Sequence, residues 1–256
     1  TVKMFLDEPS PSRMVIKAGW DDVPHLTDEW KQNALANTPI YLRDAVKYGD
    51  PTRTGGAVYP IDEKVFVIEP IQIPSHFKWV YGMDSGFHHT AVGIHAYDPD
   101  RDILYLVSDY KDGGLDKSSG EKIDYTIHAT RIKSRTKILS GMDDMPGLAD
   151  TVSIGLKDGE KMLDLYRSCG LNIILPDKAV IAGIGALTER IVSGRYKVFS
   201  TCKQWLQEFR TYSVDETGKP IKTNDHLMDQ SRYVALKGPS IARSKTSVSR
   251  ITAGKV

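Results

Sequence analysis

The chain is poor in cysteine and in net charge, and it lacks several short motifs that fix a chemistry on sight. Its 256 residues hold two cysteines, Cys169 and Cys202. Two thiols cannot staple a domain of this size, and without a C-x-x-C pair they offer no zinc site. They read as reduced core thiols of a cytosolic protein. The longest apolar run, from Ala179 to Leu187, contains Gly183 and Gly185 and falls well short of the roughly 20 residues of a membrane span. No signal-peptide pattern opens the chain. It begins at Thr1 and not at Met, as a piece of a longer protein would. Charge of one sign is not in excess: 34 Lys and Arg face 33 Asp and Glu, leaving +1. That excludes a uniformly basic nucleic-acid coat, while a local basic face remains open. No G-x-x-x-x-G-K-[ST] loop occurs, so no P-loop ATPase is complete here. Gly183-Ile184-Gly185 lacks the third glycine of a dinucleotide fingerprint. No G-x-S-x-G elbow marks a serine hydrolase.

What is present is an ordinary globular composition, 40% hydrophobic, 9% aromatic and 26% charged, long enough for a substantial core. Residues 1–70 read as a helical connector. Thr27 is a candidate N-cap, Asp28 and Glu29 suit the first helical turn, Pro39 splits the helical stretch, and Gly49 ends it. Gly55-Gly56-Ala57-Val58-Tyr59-Pro60 then turns into a short extended piece. From Pro74 onward the pattern becomes β-prone. Residues 77–83, 91–97 and 103–110 read as strands, the last two joined by a turn at Pro99–Asp102. Residues 123–134 read as a helix and 137–141 as a short strand ending in Met142-Asp143-Asp144. Helices at 160–168, 184–192, 202–210 and 225–237 alternate with strands at 171–175 and 196–199. Hairpin strands followed by strand–helix alternation predict a mixed α/β sheet. Residues 238–256, basic and rich in Ser, Thr and Gly, read as a flexible tail.

Carboxylates at element ends carry the candidate chemistry. Asp84 closes the first strand, Asp143 with Asp144 beside it closes the next strand after the helix, and Asp225 and Asp229 share one side of the last helix. Such acids, delivered to one end of a sheet, make an oxygen-rich site for Mg²⁺ or Mn²⁺. Hard cations in that setting hold a phosphodiester and activate water. His226 adjoins Asp225 and can orient a ligand or relay a proton, and His88-His89 follow the Asp84 turn. Arg195, Lys197 and Lys203 form a basic group able to guide a DNA backbone.

Several segments, in order, resemble the large terminase subunit of tailed bacteriophages, and within it the headful-packaging branch. They are Trp20-Asp21-Asp22-Val23-Pro24-His25-Leu26, Gly55 to Pro60, Tyr81-Gly82-Met83-Asp84-Ser85-Gly86, Gly194 to Phe199, Trp205 to Arg210, and Asn224-Asp225-His226-Leu227-Met228-Asp229-Gln230-Ser231-Arg232-Tyr233. The resemblance covers most of residues 15–236. It implies an RNase H-like nuclease domain over 71–237, preceded over 1–70 by the end of the packaging ATPase or its linker, and followed by the basic tail at 238–256. It implies a divalent-metal-dependent endonuclease that cuts concatemeric double-stranded viral DNA with two Mg²⁺ or Mn²⁺ ions, and no ATPase activity in this stretch.

By position the implied metal-binding acids are Asp84, Asp143 and Asp225. Met142-Asp143-Asp144 replaces the branch's His-Asp-Gly, which leaves Asp144 as a rival. Asp225-His226 replaces Asp-Asp, so either Asp229 or His226 completes the shell. The implied partners are double-stranded DNA, the small terminase subunit, the portal protein and further large-subunit copies, with no membrane. The implied place is the host cytoplasm, not the mature virion. The strand bearing Asp84 starts after Pro74, so residues 1–70 are expected to be dispensable for the nuclease fold. Two other readings stand beside this one: a non-catalytic docking domain of the packaging motor, and an RNase H-like resolvase or integrase, for which the connector segments have no use.

Overall fold

The computed structural model describes residues 18–38, 43–48, 56–85, 89–113, 124–151, 162–215 and 217–245. Pro39, Gly49, Gly55, Gly86, His88 and residues 246–256 lie outside the described residues. In chain order the helices are α1 (Asp28–Asn37), α2 (Arg43–Tyr48), α3 (Tyr125–Ser140), α4 (Met162–Ser168), α5 (Val180–Val192), α6 (Lys203–Thr211) and α7 (His226–Ile241). The strands are β1 (Val67–Ile68), β2 (Lys78–Ser85), β3 (His89–Asp98), β4 (Ile103–Gly113), β5 (Pro146–Thr151), β6 (Asn172–Ile174) and β7 (Tyr196–Phe199).

The strands form one mixed sheet of order β1-β7-β4-β3-β2-β5-β6. β2, β3 and β4 pair antiparallel, as hairpin-connected neighbours do. β5 joins β2 parallel, β6 joins β5 parallel, and β7 and β1 extend the far side in parallel. An antiparallel triple continued beyond its first strand by two parallel strands, β5 and then β6, with helices on both faces, is the RNase H-like arrangement that the resemblance implied. Local signals fix the joints. The Asp98 carboxylate accepts from the amides of Asp100 and Arg101 and so closes the β3–β4 turn. Asp124 caps α3 by accepting from Thr126 N and Ile127 N. Gly141 (φ 72°) and Gly170 (φ 83°) take the left-handed conformation that ends α3 and α4. Thr27 caps α1 by accepting from Trp30 N.

Alternation along β2 divides its side chains between two layers. Val80, Gly82 and Asp84 face α7, while Tyr81, Met83 and Ser85 face the other side. Helix α7 lies low on the sheet because β2 and β3 present the cross-strand glycine pair Gly82↔Gly93 beneath it. A Cβ on Gly82 would sit 2.5 Å from the Gln230 carbonyl, and one on Gly93 would meet the Gln230 amide. On the opposite face Gly147 makes room for the Tyr81 ring. Close approach of a helix to a sheet is the use of glycine here.

Three expected boundaries move. Residues 137–141 are not a strand, because α3 runs on to Ser140 and the strand follows at Pro146–Thr151. The 146–149 run has no β-branched residue, so propensity alone did not mark it. Within the expected connector, Val58 and Phe66 are fully buried and Tyr59 nearly so, which moves the start of the packed core ahead of residue 70. β1 lies in the same sheet, where Phe66 O and Ile68 O accept from Val198 N and Ser200 N. Tyr59 stacks on Phe209, and Phe66 packs edge-on against Trp205 and Phe209. The tail does not begin at 238: α7 continues to Ile241, and Arg243 exchanges both backbone hydrogen bonds with Trp79. Cys202 is buried as expected, and Cys169 is half-buried. Among the described residues no helix is long and apolar enough to cross a membrane.

Candidate functional site

Asp84 lies at the C-terminal end of β2, and parallel pairing puts Asp150 of β5 directly beside it in register. Register partners on adjacent strands share a face about 4.8 Å apart. Both carboxylates therefore project to the α7 side of the sheet. Above them is the start of α7, with Asp225 at the N-cap and Asp229 in the first turn. His226 Nδ1 lies 2.8 Å from Asp84 Oδ2, and Lys178 Nζ lies 2.5 Å from Asp150 Oδ1. Asp229 is held by Arg232, a nearly fully buried guanidinium one turn further on. His89, at the start of β3, brings its ring to 6.1 Å from that of His226.

Crowding of acids shows in their electrostatics. Burial pushes the Asp84 carboxyl above the usual carboxylate range; the His226 hydrogen bond opposes this, and the charges of Asp229 and Asp150 add to it. Asp229 is also raised by burial, against the pull of Arg232 and with a push from Asp225. His226 is raised chiefly by its hydrogen bond to Asp84. Folding thus assembles carboxylates that repel one another in a half-buried place, an arrangement that a bound cation relieves.

The sheet end is braced on its other face. Ser85 Oγ, Thr90 Oγ1 and Tyr166 OH lie 3.1–3.2 Å from one another, tying the adjacent ends of β2 and β3 to α4. The site-bearing strand end is therefore fixed from both sides.

Of the residues singled out by sequence, His226 contacts Asp84, the charge of Asp229 acts on Asp84, and Asp225 stands at the start of the same helix. Asp143 and Asp144 stand apart from these. They precede β5, at the opposite end of that strand from Asp150, roughly 20 Å away at about 3.3 Å per residue. Asp143 is exposed and ion-paired with Lys137 at 2.8 Å, which holds its carboxyl below the usual range. The acid that the structure sets beside Asp84, and that sequence reasoning did not single out, is Asp150; the available signal is its place after Gly147-Leu148-Ala149 and before Thr151, much as Asp84 precedes Ser85.

The basic group is also divided. Tyr196 pairs with Leu104, Leu104 with Tyr97, and Tyr97 with Lys78, so Arg195 and Lys197 sit at the end of the sheet away from Asp84. Arg195 is bound to Asp102 and Glu189, and Lys197 donates to Val65 O. In this fold both side chains are engaged in contacts within the chain. Lys203 begins α6 on the acidic end, beside Gln204, whose side-chain amide clamps the backbone of Lys111. Lys111 is level with Ala91 and hence with Asp84.

Comparison with known proteins follows the same lines. No family model matches the chain. It is 32% identical over 243 residues to the large terminase subunit of Enterobacteria phage LP7 and, at the same identity and length, to that of Salmonella phage P22. These matches cover 91% of this chain but 48% and 46% of those proteins, so the chain spans about half the length of the curated relatives it matches. Among solved structures, the P22 large terminase nuclease domain superposes with a TM-score of 0.61 at 26% identity, covering 74% of this chain and 95% of that one. The large terminase of a thermophilic bacteriophage, solved in complex with ADP, gives a TM-score of 0.61 at 20% identity, covering 84% of this chain and 53% of that one, a likeness of fold.

Proposed function

We propose, from the premise that this chain is a relative of the large terminase subunits of tailed phages, that it is a divalent-metal-dependent endonuclease cutting double-stranded viral DNA during genome packaging. The observation that carries this reading is the register pair Asp84–Asp150 beneath the acidic first turn of α7. The donor set fits the metal. Asp84, Asp150, Asp225 and Asp229 offer hard carboxylate oxygens, which suit Mg²⁺ or Mn²⁺ and not a thiophilic ion. When bound there, two such ions supply an activated water and neutralise charge on the phosphodiester. The chain's own residues do the remainder. His226 orients Asp84 through its 2.8 Å contact. Lys178 offers an ammonium beside Asp150 that can turn to a phosphate oxygen once that carboxylate is engaged. Lys203 adds positive charge on the same end of the molecule.

Without a helix-turn-helix or zinc finger, contact with DNA is mainly to phosphates and nearly blind to sequence. The lack of a phosphate-cradling G-x-x-x-x-G-K-[ST] loop supports assigning no ATP hydrolysis to these 256 residues. The small terminase subunit, the portal protein and further large-subunit copies are the proposed partners, and the host cytoplasm the proposed place of action. Plasmid nicking by the chain in Mn²⁺, Mg²⁺ and EDTA in parallel tests the reading. Cleavage in Mn²⁺ or Mg²⁺ that EDTA abolishes is expected. A folded chain that leaves the plasmid intact in both metals refutes it in favour of a docking domain.

A further inference from the structure

The start of α7 has an unusual cap. Asp225 occupies the N-cap position, where a carboxylate ordinarily accepts from the backbone N–H two or three residues on. Its side chain makes no such bond. The amide of Leu227 instead donates to Glu208 Oε2 of α6 at 2.7 Å. Glu208 is 5% exposed, and its other oxygen lies 2.5 Å from Lys111 Nζ on β4. Burial pushes the Glu208 carboxyl above the usual carboxylate range, and Lys111 and the Leu227 amide pull the other way. Helix α6 is itself pinned to β4, because Trp205 N donates to Asp109 Oδ2 and Gln204 clamps Lys111.

We infer that Glu208, charge-balanced by Lys111, caps α7 from a neighbouring helix so that the Asp225 carboxylate stays available to the metal site. This rests on the nuclease reading only in taking the acids as metal ligands. Glu208 is buried against β4 and α7 and is a positioning residue. Without it, Asp225 is the nearest acceptor for the orphan amides of α7, and a carboxylate spent on capping is lost to the cation.

Two double variants of the full chain separate this from a merely structural role. Lys111→Met with Glu208→Gln keeps an acceptor for Leu227 and leaves no unpaired ammonium. Lys111→Met with Glu208→Leu keeps the volume apolar and removes the cap; replacing a buried ion pair by apolar residues is often tolerated. Each is measured for thermal midpoint, for Mn²⁺ binding by calorimetry, and for the Mn²⁺ concentration giving half-maximal nicking. The apolar pair should fold yet need about ten-fold or more Mn²⁺ on both metal readouts, the size of effect seen for outer-shell changes. The amide pair should stay within about two-fold of the parent, well inside that effect. A folded apolar pair with parental Mn²⁺ affinity overturns the inference. If the apolar pair does not fold, the amide pair decides: parental affinity supports the inference, and a ten-fold loss with a retained midpoint overturns it. Mn²⁺ binding without cleavage in the parent chain would sink the nuclease reading and leave this test intact.

Discussion

Deleting the chain up to residue 70 should destroy the fold, because that cut removes part of its core. Phe66 is fully buried between Trp205 and Phe209, with ring centroids 5.9 and 4.8 Å away. Tyr59 stacks on Phe209 at 5.6 Å, and Val58 has no exposed surface. Transfer of these three side chains to water costs on the order of 6 kcal/mol in total. Loss of β1 also strips Val198 N and Ser200 N of their acceptors, and loss of the preceding segment frees the amide of Val214 from Gly56 O. A domain of ordinary stability holds roughly 5–15 kcal/mol in reserve, so little or nothing is left. Urea unfolding followed by tryptophan fluorescence checks this on three chains. A chain starting at Gly56 should keep a cooperative transition; one starting at Ile71 should show none, or a midpoint near zero denaturant. Phe66→Ala in the full chain should lose about 3–5 kcal/mol. An Ile71 start that unfolds with the midpoint and slope of the full chain would refute the reasoning and restore the boundary near residue 70.

Asp84→Asn and Asp150→Asn should each abolish Mn²⁺-dependent nicking with the circular dichroism spectrum retained, whereas Asp143→Asn should cut normally; the reverse result for Asp143 and Asp150 would show that the β5 register does not define the site. Gly82→Ala places a methyl 2.5 Å from the Gln230 carbonyl and 2.8 Å from Val234, costing about 1–3 kcal/mol and lowering nicking because α7 carries the acids. The control Gly185→Ala meets nothing within 4 Å in α5 and should be neutral or stabilising by up to about 1 kcal/mol in chemical denaturation. Burial of His95 lowers its pKa to about 3, so below about pH 6.5 the unfolded chain binds a proton that the folded chain does not. That contribution is fully present above pH 6.5 and is lost as pH falls toward 3, with about 2 kcal/mol of it gone by pH 5. The difference in unfolding free energy between the parent and His95→Gln, measured at pH 7 and pH 5, should shrink by about that much; no change would mean that His95 is protonated inside the fold.

Much of this molecule is local and therefore legible along the chain. The β2–β3–β4 hairpins follow from apolar alternation and from the Asp98–Asp102 turn, and β7 was placed over its own residues, Tyr196–Phe199. Thr27 announced a cap that the structure contains. Asp84, Asp225, Asp229 and His226 are legible as candidates because each lies at the end of an element whose type local pattern defines. Asp150 is not, because what sets it beside Asp84 is parallel pairing of β5 with β2, a partnership between segments separated by a full helix. Residues 146–149 look weak as a strand in isolation, since their pairing energy comes from neighbours on both sides. For the same reason Phe66 and Tyr59 read as linker until α6 supplied the aromatic surface they pack on. Arg195 and Lys197 look like a basic face in sequence, but strand direction carries them to the far end of the sheet and ion pairs absorb Arg195. The sequence determined which residues could be acids at strand ends; only the tertiary structure decided which ends meet, because register and helix docking are set by contacts that one-dimensional spacing does not contain.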